Sequence, residues 1–219
     1  MSEESIPDIK KVVNKSNIRI IGNIQPGEVY RIGCSIEKAV EILYEAFSRK
    51  ISALIKSREK AIEIHKRALK LPYVFFALLD GEIIGIAGLH YSNQSFLEFR
   101  YTDIRKSFNP FKSVFYYFVF RMVVPKIGKD VIRIDSLAVD VHFRGNGVGT
   151  MLIEEVCEFA RKNGFREVML EVVDTNPRAK ALYERLGFVQ KKVKKYYFLT
   201  RSAGFSSESI MSRQIEANT

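Results

Sequence analysis

VIRIDSLAVDVHFRGNGVGT, running from Val131 to Thr150, has two halves built on different patterns. The first half alternates branched apolar residues over a strand's length. The second is a glycine-rich turn that opens into the apolar-periodic run Met151 to Phe159. A strand that feeds a helix through such a turn leaves the helix's first N–H groups without internal partners, aimed at whatever occupies the turn. Gly145, Gly147 and Gly149 can take positive φ and let a ligand approach the main chain. The turn suits an anion, and a phosphate above all.

Two common phosphate loops are excluded by spacing. A dinucleotide fingerprint begun at Gly145 and Gly147 needs its third glycine where Thr150 stands, and no Gly-Lys-Ser/Thr follows to make a P-loop. The pattern R-x-x-G-x-G does fit, at Arg144, Gly147 and Gly149. Leu137-Ala138-Val139 precedes it, and the block NPRAKALYERLGF runs from Asn176 to Phe188. In this order and spacing the three blocks closely resemble the GNAT superfamily of acyl-CoA-dependent N-acetyltransferases.

That resemblance implies an α/β fold, with a mixed, mostly antiparallel central sheet flanked by helices and splayed where the phosphate loop departs. It implies an N-acetyltransferase with acetyl-CoA as cosubstrate and no metal. The acceptor would be a primary amine of a small molecule, a peptide N-terminus or a lysine, attacking directly through a tetrahedral intermediate. Leu137, Ala138 and Val139 would offer main-chain hydrogen bonds to the pantetheine arm. Arg144, Gly145, Asn146, Gly147, Val148, Gly149 and Thr150 would cradle the pyrophosphate, with Thr150 adding a hydroxyl. Asn176 would bond the pantetheine, and Tyr183 would stand near the sulfur as general acid. Without any ligand, Asn176 is an adequate helix cap and Tyr183 a core aromatic beside Leu182 and Phe188.

The chemistry sets further demands. A lysine-like amine of pKa ~10.4 is almost wholly protonated at neutral pH, a deficit of roughly 4 to 5 kcal/mol that a base or proton path must meet. A thiolate of pKa about 8.5 leaves readily if a phenol of pKa about 10 stands by. Asp135, on the strand leading to the loop, is the candidate base, taking the proton directly or through water. It shares a face with Arg133 and Leu137 until a bulge shifts the parity, and pairing with Arg133 is an equal alternative. His90, at a strand end, and His142, before the loop, read as ordinary core or surface histidines.

Composition fits one core domain. The chain has 219 residues, 47% hydrophobic and 27% charged, as an ordinary globular protein does. Cys34 and Cys157 stand far apart and lack metal-ligand spacing, so neither a disulfide framework nor zinc is expected, and a reducing, cytoplasmic setting fits. The opening residues put acids before lysines without an apolar run, unlike a secretory signal. A net charge of +10 favours anionic partners, and coenzyme A is one, so nucleic acid need not be invoked. The densest basic run, Lys191 to Lys195, precedes Tyr196, Tyr197 and Phe198. An edge strand guarded by lysines is the plainer reading of it, and an RNA or phosphate site the other.

Working outward, residues 1–27 read as an extension ahead of a domain spanning 28–200, and 201–219 as a loose or docked tail poor in apolar residues. Glu28 to Gly33 reads as a strand. Ser35 caps a helix whose apolar face is Ile36, Val40, Leu43, Ala46 and Phe47, and a second helix spans about Ser52 to Leu69 until Pro72 stops it. Asp80-Gly81 joins strands Tyr73 to Leu79 and Glu82 to Leu89 in a hairpin. The helix after the loop ends at Asn163-Gly164, Arg166 to Val173 is a strand, Asn176-Pro177 starts another helix, and Val189 to Thr200 supplies the last strands.

Residues 91–130 read as an insertion between the third and fourth core strands. Its apolar run Phe111 to Val124 is too short, and too interrupted by Lys112 and Arg121, to span a bilayer. Packing on the domain or a dimer mate, a lid over the acceptor cleft, and attachment to a membrane surface all remain open for it. Glu98 and Asp103 would recognise a cationic acceptor only if that segment folds over the cleft. A non-catalytic acyl-CoA-binding module is the rival to the enzyme.

Overall fold

The computed structural model describes residues 14–25, 35–123, 127–196 and 204–216. Its centre is an eight-stranded sheet in which β1 (Ile18–Gly22), β2 (Val74–Leu79), β3 (Glu82–Tyr91), β5 (Val131–Val139), β6 (Glu167–Val173), β8 (Ser207–Gln214) and β7 (Val189–Lys195) lie side by side in that order. The two-residue β4 (Gln94–Ser95) pairs with the end of β3. Every pairing is antiparallel except β5 with β6. The mixed, mostly antiparallel sheet flanked by helices is as expected.

The hairpin forms at Asp80-Gly81, both with positive φ. α5 (Val148–Lys162) packs Val148, Leu152, Ile153, Val156 and Ala160 on one face of the sheet. The other face receives α1 (Ile36–Leu54) through Ala39, Ile42 and Leu43, against Phe76, Ile83 and Ile86. Alternation on β2 and β3 thus serves two cores, which is why these strands are apolar almost throughout. Ser35 stands at the N-cap of α1, but its side chain makes no capping hydrogen bond; α1 runs on to Leu54, and α2 (Arg58–Ala68) starts only after Ser57, whose side chain accepts the Lys60 amide. α1 kinks at Phe47, whose backbone leaves helical values where the helix borders the site.

Two segments take places other than those expected. Ile18–Gly22, read as part of an extension, pairs residue by residue with β2 and is the first strand of the sheet among the described residues. Ser207–Gln214, read within a loose or docked tail, is an interior strand hydrogen-bonded to β6 on one side and β7 on the other. Its serines masked it: Met211 and Ser212 are buried, and Glu208 is held by Lys50 and Tyr196. Among the described residues β7 is then the outer edge, its lysines largely exposed, in keeping with the plainer reading of the basic run. The strand expected at Glu28 to Gly33 lies outside the described residues.

Candidate active site

β5 organises the site by changing partners along its length. Val131 to Ile134 pair in parallel with Glu167 to Leu170 of β6, and beyond that register, among the described residues, β5 pairs only with β3. Against β3, Gly88 faces Ser136 while Leu89 faces Ile134, so Asp135 is the extra residue of a bulge. The bulge is where the parity shift anticipated at Asp135 takes place. The two parallel strands part there, and the gap is the mouth of a cavity of about 790 Å³.

Two flanking helices and the segment after β3 close the cavity. Ala46 to Lys50 line it from the kinked part of α1. Asn176 and Tyr183 line it from α6 (Pro177–Arg185), where Asn176 also caps the helix by accepting the Ala179 amide. Tyr183 is buried, its ring packs near Phe188, and its hydroxyl has no hydrogen-bond partner among the described residues. Burial pushes that phenol up to about 12, so it stays protonated at any physiological pH. The segment after β3 contributes Ser95, Phe96, Leu97 and Phe99, and α4 (Pro110–Val123) contributes Phe120. Phe96 fits because Gly88 has no side chain, since a Cβ there would stand 2.3 Å from the ring.

A chain of alternating charges crosses the cavity wall. The Asp135 carboxylate lies 2.9 Å from Arg133 Nε and 3.8 Å from His90 Nδ1, and accepts a hydrogen bond from Ser95 Oγ at 3.2 Å. Arg133 also donates to Glu171, 3.1 Å away, which Lys194 holds from β7 at 2.7 Å. Burial raises the Asp135 pKa and outweighs the attraction of Arg133 and His90, while burial lowers the His90 pKa. The result is a carboxylate readier than usual to take a proton, beside an imidazole that tends to be neutral. Asp135 thus makes the pair with Arg133 that was the alternative to a base, and it also lines the cavity.

The glycine-rich loop stands past the far end of β5, outside the cavity lining. Asp140 sets its start: its carboxylate accepts the His142 amide at 3.0 Å and pairs with Lys38 of α1 at 2.8 Å. Arg144 Nε donates to the Val139 carbonyl at 3.0 Å, closing the loop on the strand. Gly147 is the N-cap of α5 with φ +83°, a left-handed conformation that side chains rarely adopt, whereas Gly149 is already helical. At Gly145, among the described residues, nothing lies within 4 Å of where a Cβ would stand. At Gly147 that point lies 3.4 Å from the ammonium of Lys15, a cation at the mouth of an anion-suited cradle.

A model of the acetyltransferase (GNAT) family matches residues 37–188. The chain belongs to that family. An uncharacterized N-acetyltransferase of Methanocaldococcus jannaschii is 45% identical over 67 residues, which are 31% of this chain and 30% of that one. Human N-alpha-acetyltransferase 30 is 43% identical over 65 residues, 29% of this chain and 18% of that protein. The chain thus spans well under half the length of these two relatives. Among solved structures, a GCN5-related N-acetyltransferase from Kribbella flavida superposes with a TM-score of 0.57 at 19% identity, over 92% of this chain and 99% of that one. The ribosomal-protein-S18-alanine N-acetyltransferase of Escherichia coli gives 0.52 at 18%, over 92% and 96%. These likenesses are of GNAT fold.

Asp135, Leu137, Asn176 and Tyr183 converge on the cavity, while Arg144 to Thr150 form a separate cradle beyond it. Glu98 and Asp103 line neither, since Glu98 pairs with Lys70 and Arg100, and Asp103 with Lys106. Sequence reasoning read His90 as an ordinary histidine and did not single out Glu171 or Lys15. His90 was legible in principle, because hairpin register carries the end of β3 to Arg133 and hence to Asp135. Lys15 carried no local signal, and only the pairing of β1 places it.

Proposed function

We propose that this GNAT protein transfers an acetyl group from acetyl-CoA to a primary amine. The observation that carries the reading is the parting of β5 from β6 at a bulge, which sets an unpaired strand edge, a buried phenol and a raised-pKa carboxylate around one cavity. Leu137 to Val139 would hold the pantetheine arm by main-chain bonds, with one amide polarising the thioester carbonyl. The open turn at Gly145 and Gly147 fits a pyrophosphate, with Lys15 adding its charge and Thr150 a hydroxyl. Asn176 would turn its free amide group to the pantetheine while its oxygen caps α6.

At the amine end, Asp135 takes a proton from the acceptor directly or through water, and the freed amine attacks the carbonyl. The tetrahedral intermediate collapses with its oxyanion on the strand amide, and Tyr183 gives its proton to the departing thiolate. A phenol of pKa about 12 is a weak acid, yet it suffices for a leaving group that needs little help. Peptide N-termini are the first acceptor class to assay, since related sequences include an N-alpha-acetyltransferase and a ribosomal-protein alanine N-acetyltransferase. An amino sugar belongs in the same panel, since another relative is named for glucosamine 6-phosphate.

Thiol release from acetyl-CoA, followed with and without each amine, tests the reading. Amine-dependent release with mass-verified acetylated product is expected. Tight acetyl-CoA binding without turnover on any amine would instead favour a non-catalytic binding module.

A further inference from the structure

α4 has one face that the domain explains and one that it does not. On the inner face Ser113 is buried, the Tyr116 hydroxyl donates to the Leu54 carbonyl at 2.9 Å, and Phe120 stacks on Phe99 with centroids 4.0 Å apart. On the outer face Phe111 is 88% exposed, Phe115 61%, Phe118 60% and Met122 86%. At about 100° per residue these four fall within an arc of roughly 60°. Single exposed apolar side chains are ordinary, but four aligned large ones mark a contact surface.

Charge decides what the surface contacts. Lys112 and Arg121 project on opposite sides of the stripe, each roughly 80 to 100° from its middle, and α4 carries no acidic residue. Neither makes an ion pair among the described residues, and Arg121 meets only the Tyr117 ring and hydroxyl. A second copy packed along the same stripe would bring Lys112 and Arg121 of each molecule against those of the other, with no carboxylate on either helix to separate them. One 14-residue helix face also falls short of the roughly 1,200 to 2,000 Å² of a stable interface. An anionic lipid surface satisfies both features: rings and thioether enter the interface, and the two long cations reach out to phosphate headgroups.

We propose that α4 seats this protein on anionic membrane surfaces, lying in the plane of the interface. Among the described residues no helix is long and apolar enough to cross a membrane, so the attachment is peripheral. The inner face of the same helix lines the cavity through Phe120, which places the site within a helix diameter of the lipid. The inference stands whether or not the cavity performs acyl transfer.

Co-sedimentation of the full chain with vesicles tests it, using phosphatidylcholine alone and phosphatidylcholine with one third phosphatidylglycerol. Binding to the anionic vesicles at least tenfold tighter than to the neutral ones, weakening as salt rises, is expected. The double variant Phe115→Ser/Phe118→Ser should lose binding at least tenfold. Lys112→Gln and Arg121→Gln should each lose about fivefold. All four side chains are solvent-facing, so unchanged circular dichroism and melting verify that the variants fold. No binding to anionic vesicles, or binding that the phenylalanine variants retain, overturns the proposal. So does a dimer seen by light scattering that the same variants break without any vesicle association, which would assign the stripe to a second copy.

Discussion

The turn beyond β5 and the bulge within it are built by opposite means. Past its C-terminal end, the turn from Arg144 to Thr150 offers backbone: amides at a helix start, two glycines at positive φ, and a strand carbonyl closed by Arg144. At the bulge, the site is made of side chains, with His90 from β3, Arg133 and Asp135 from β5, Glu171 from β6 and Lys194 from β7. The first is contiguous in sequence and depends on chain geometry. The second is assembled across strands and depends on mutual charge. A main-chain cradle tolerates side-chain change but not added bulk, whereas a charge chain tolerates bulk better than a lost charge.

Asp135→Asn gives the largest effect that separates the two. It should lower turnover by roughly 10²- to 10⁴-fold with acetyl-CoA affinity unchanged. Equal turnover would show that Asp135 only pairs with Arg133. The wild-type pH profile carries a linked sign. Because burial raises the Asp135 pKa, the carboxylate becomes protonated at a pH above the usual carboxylate range, so kcat/KM should fall on acidification earlier than for an exposed aspartate. Tyr183, at about 12, should contribute no descending limb between pH 7 and 10.

Gly147→Glu attacks the turn. A side chain forced to φ +83° and a negative charge in the cradle should weaken acetyl-CoA binding roughly 10- to 100-fold by calorimetry. Unchanged affinity would remove the phosphate assignment. Tyr183→Phe, on the cavity side with Asp135, should cost about tenfold in turnover, with binding intact, because a thiolate leaves with little help. Lys15→Ala is the smallest, about two- to fivefold in acetyl-CoA affinity and vanishing at high salt, since the ammonium is solvent-exposed. A larger loss would make the turn depend on side chains as well.

Legibility followed the same division. Strand, turn and helix from Val131 to Lys162 were readable because apolar alternation, glycine spacing and helical periodicity are local signals. The hairpin at Asp80-Gly81 and the cap at Asn176 were readable for the same reason. The pairing of His90 with Asp135, and of Arg133 with Glu171, depends on which strands become neighbours, and no local pattern records that. Ser207–Gln214 escaped notice because an interior strand flanked by sheet on both edges needs apolar residues only where helices cover it. Met211 suffices on its covered side.

β8 follows β7 in the chain yet lies between β7 and β6 in the sheet. During synthesis, therefore, β6 emerges with a bare hydrogen-bonding edge, and the lysine-rich β7 has no partner until some dozen further residues arrive. The half-made protein is obliged to keep that edge from strangers, and the positive charges along β7 are suited to repel them. Nascent chains halted before residue 207 should clump in a way that those released after residue 214 do not.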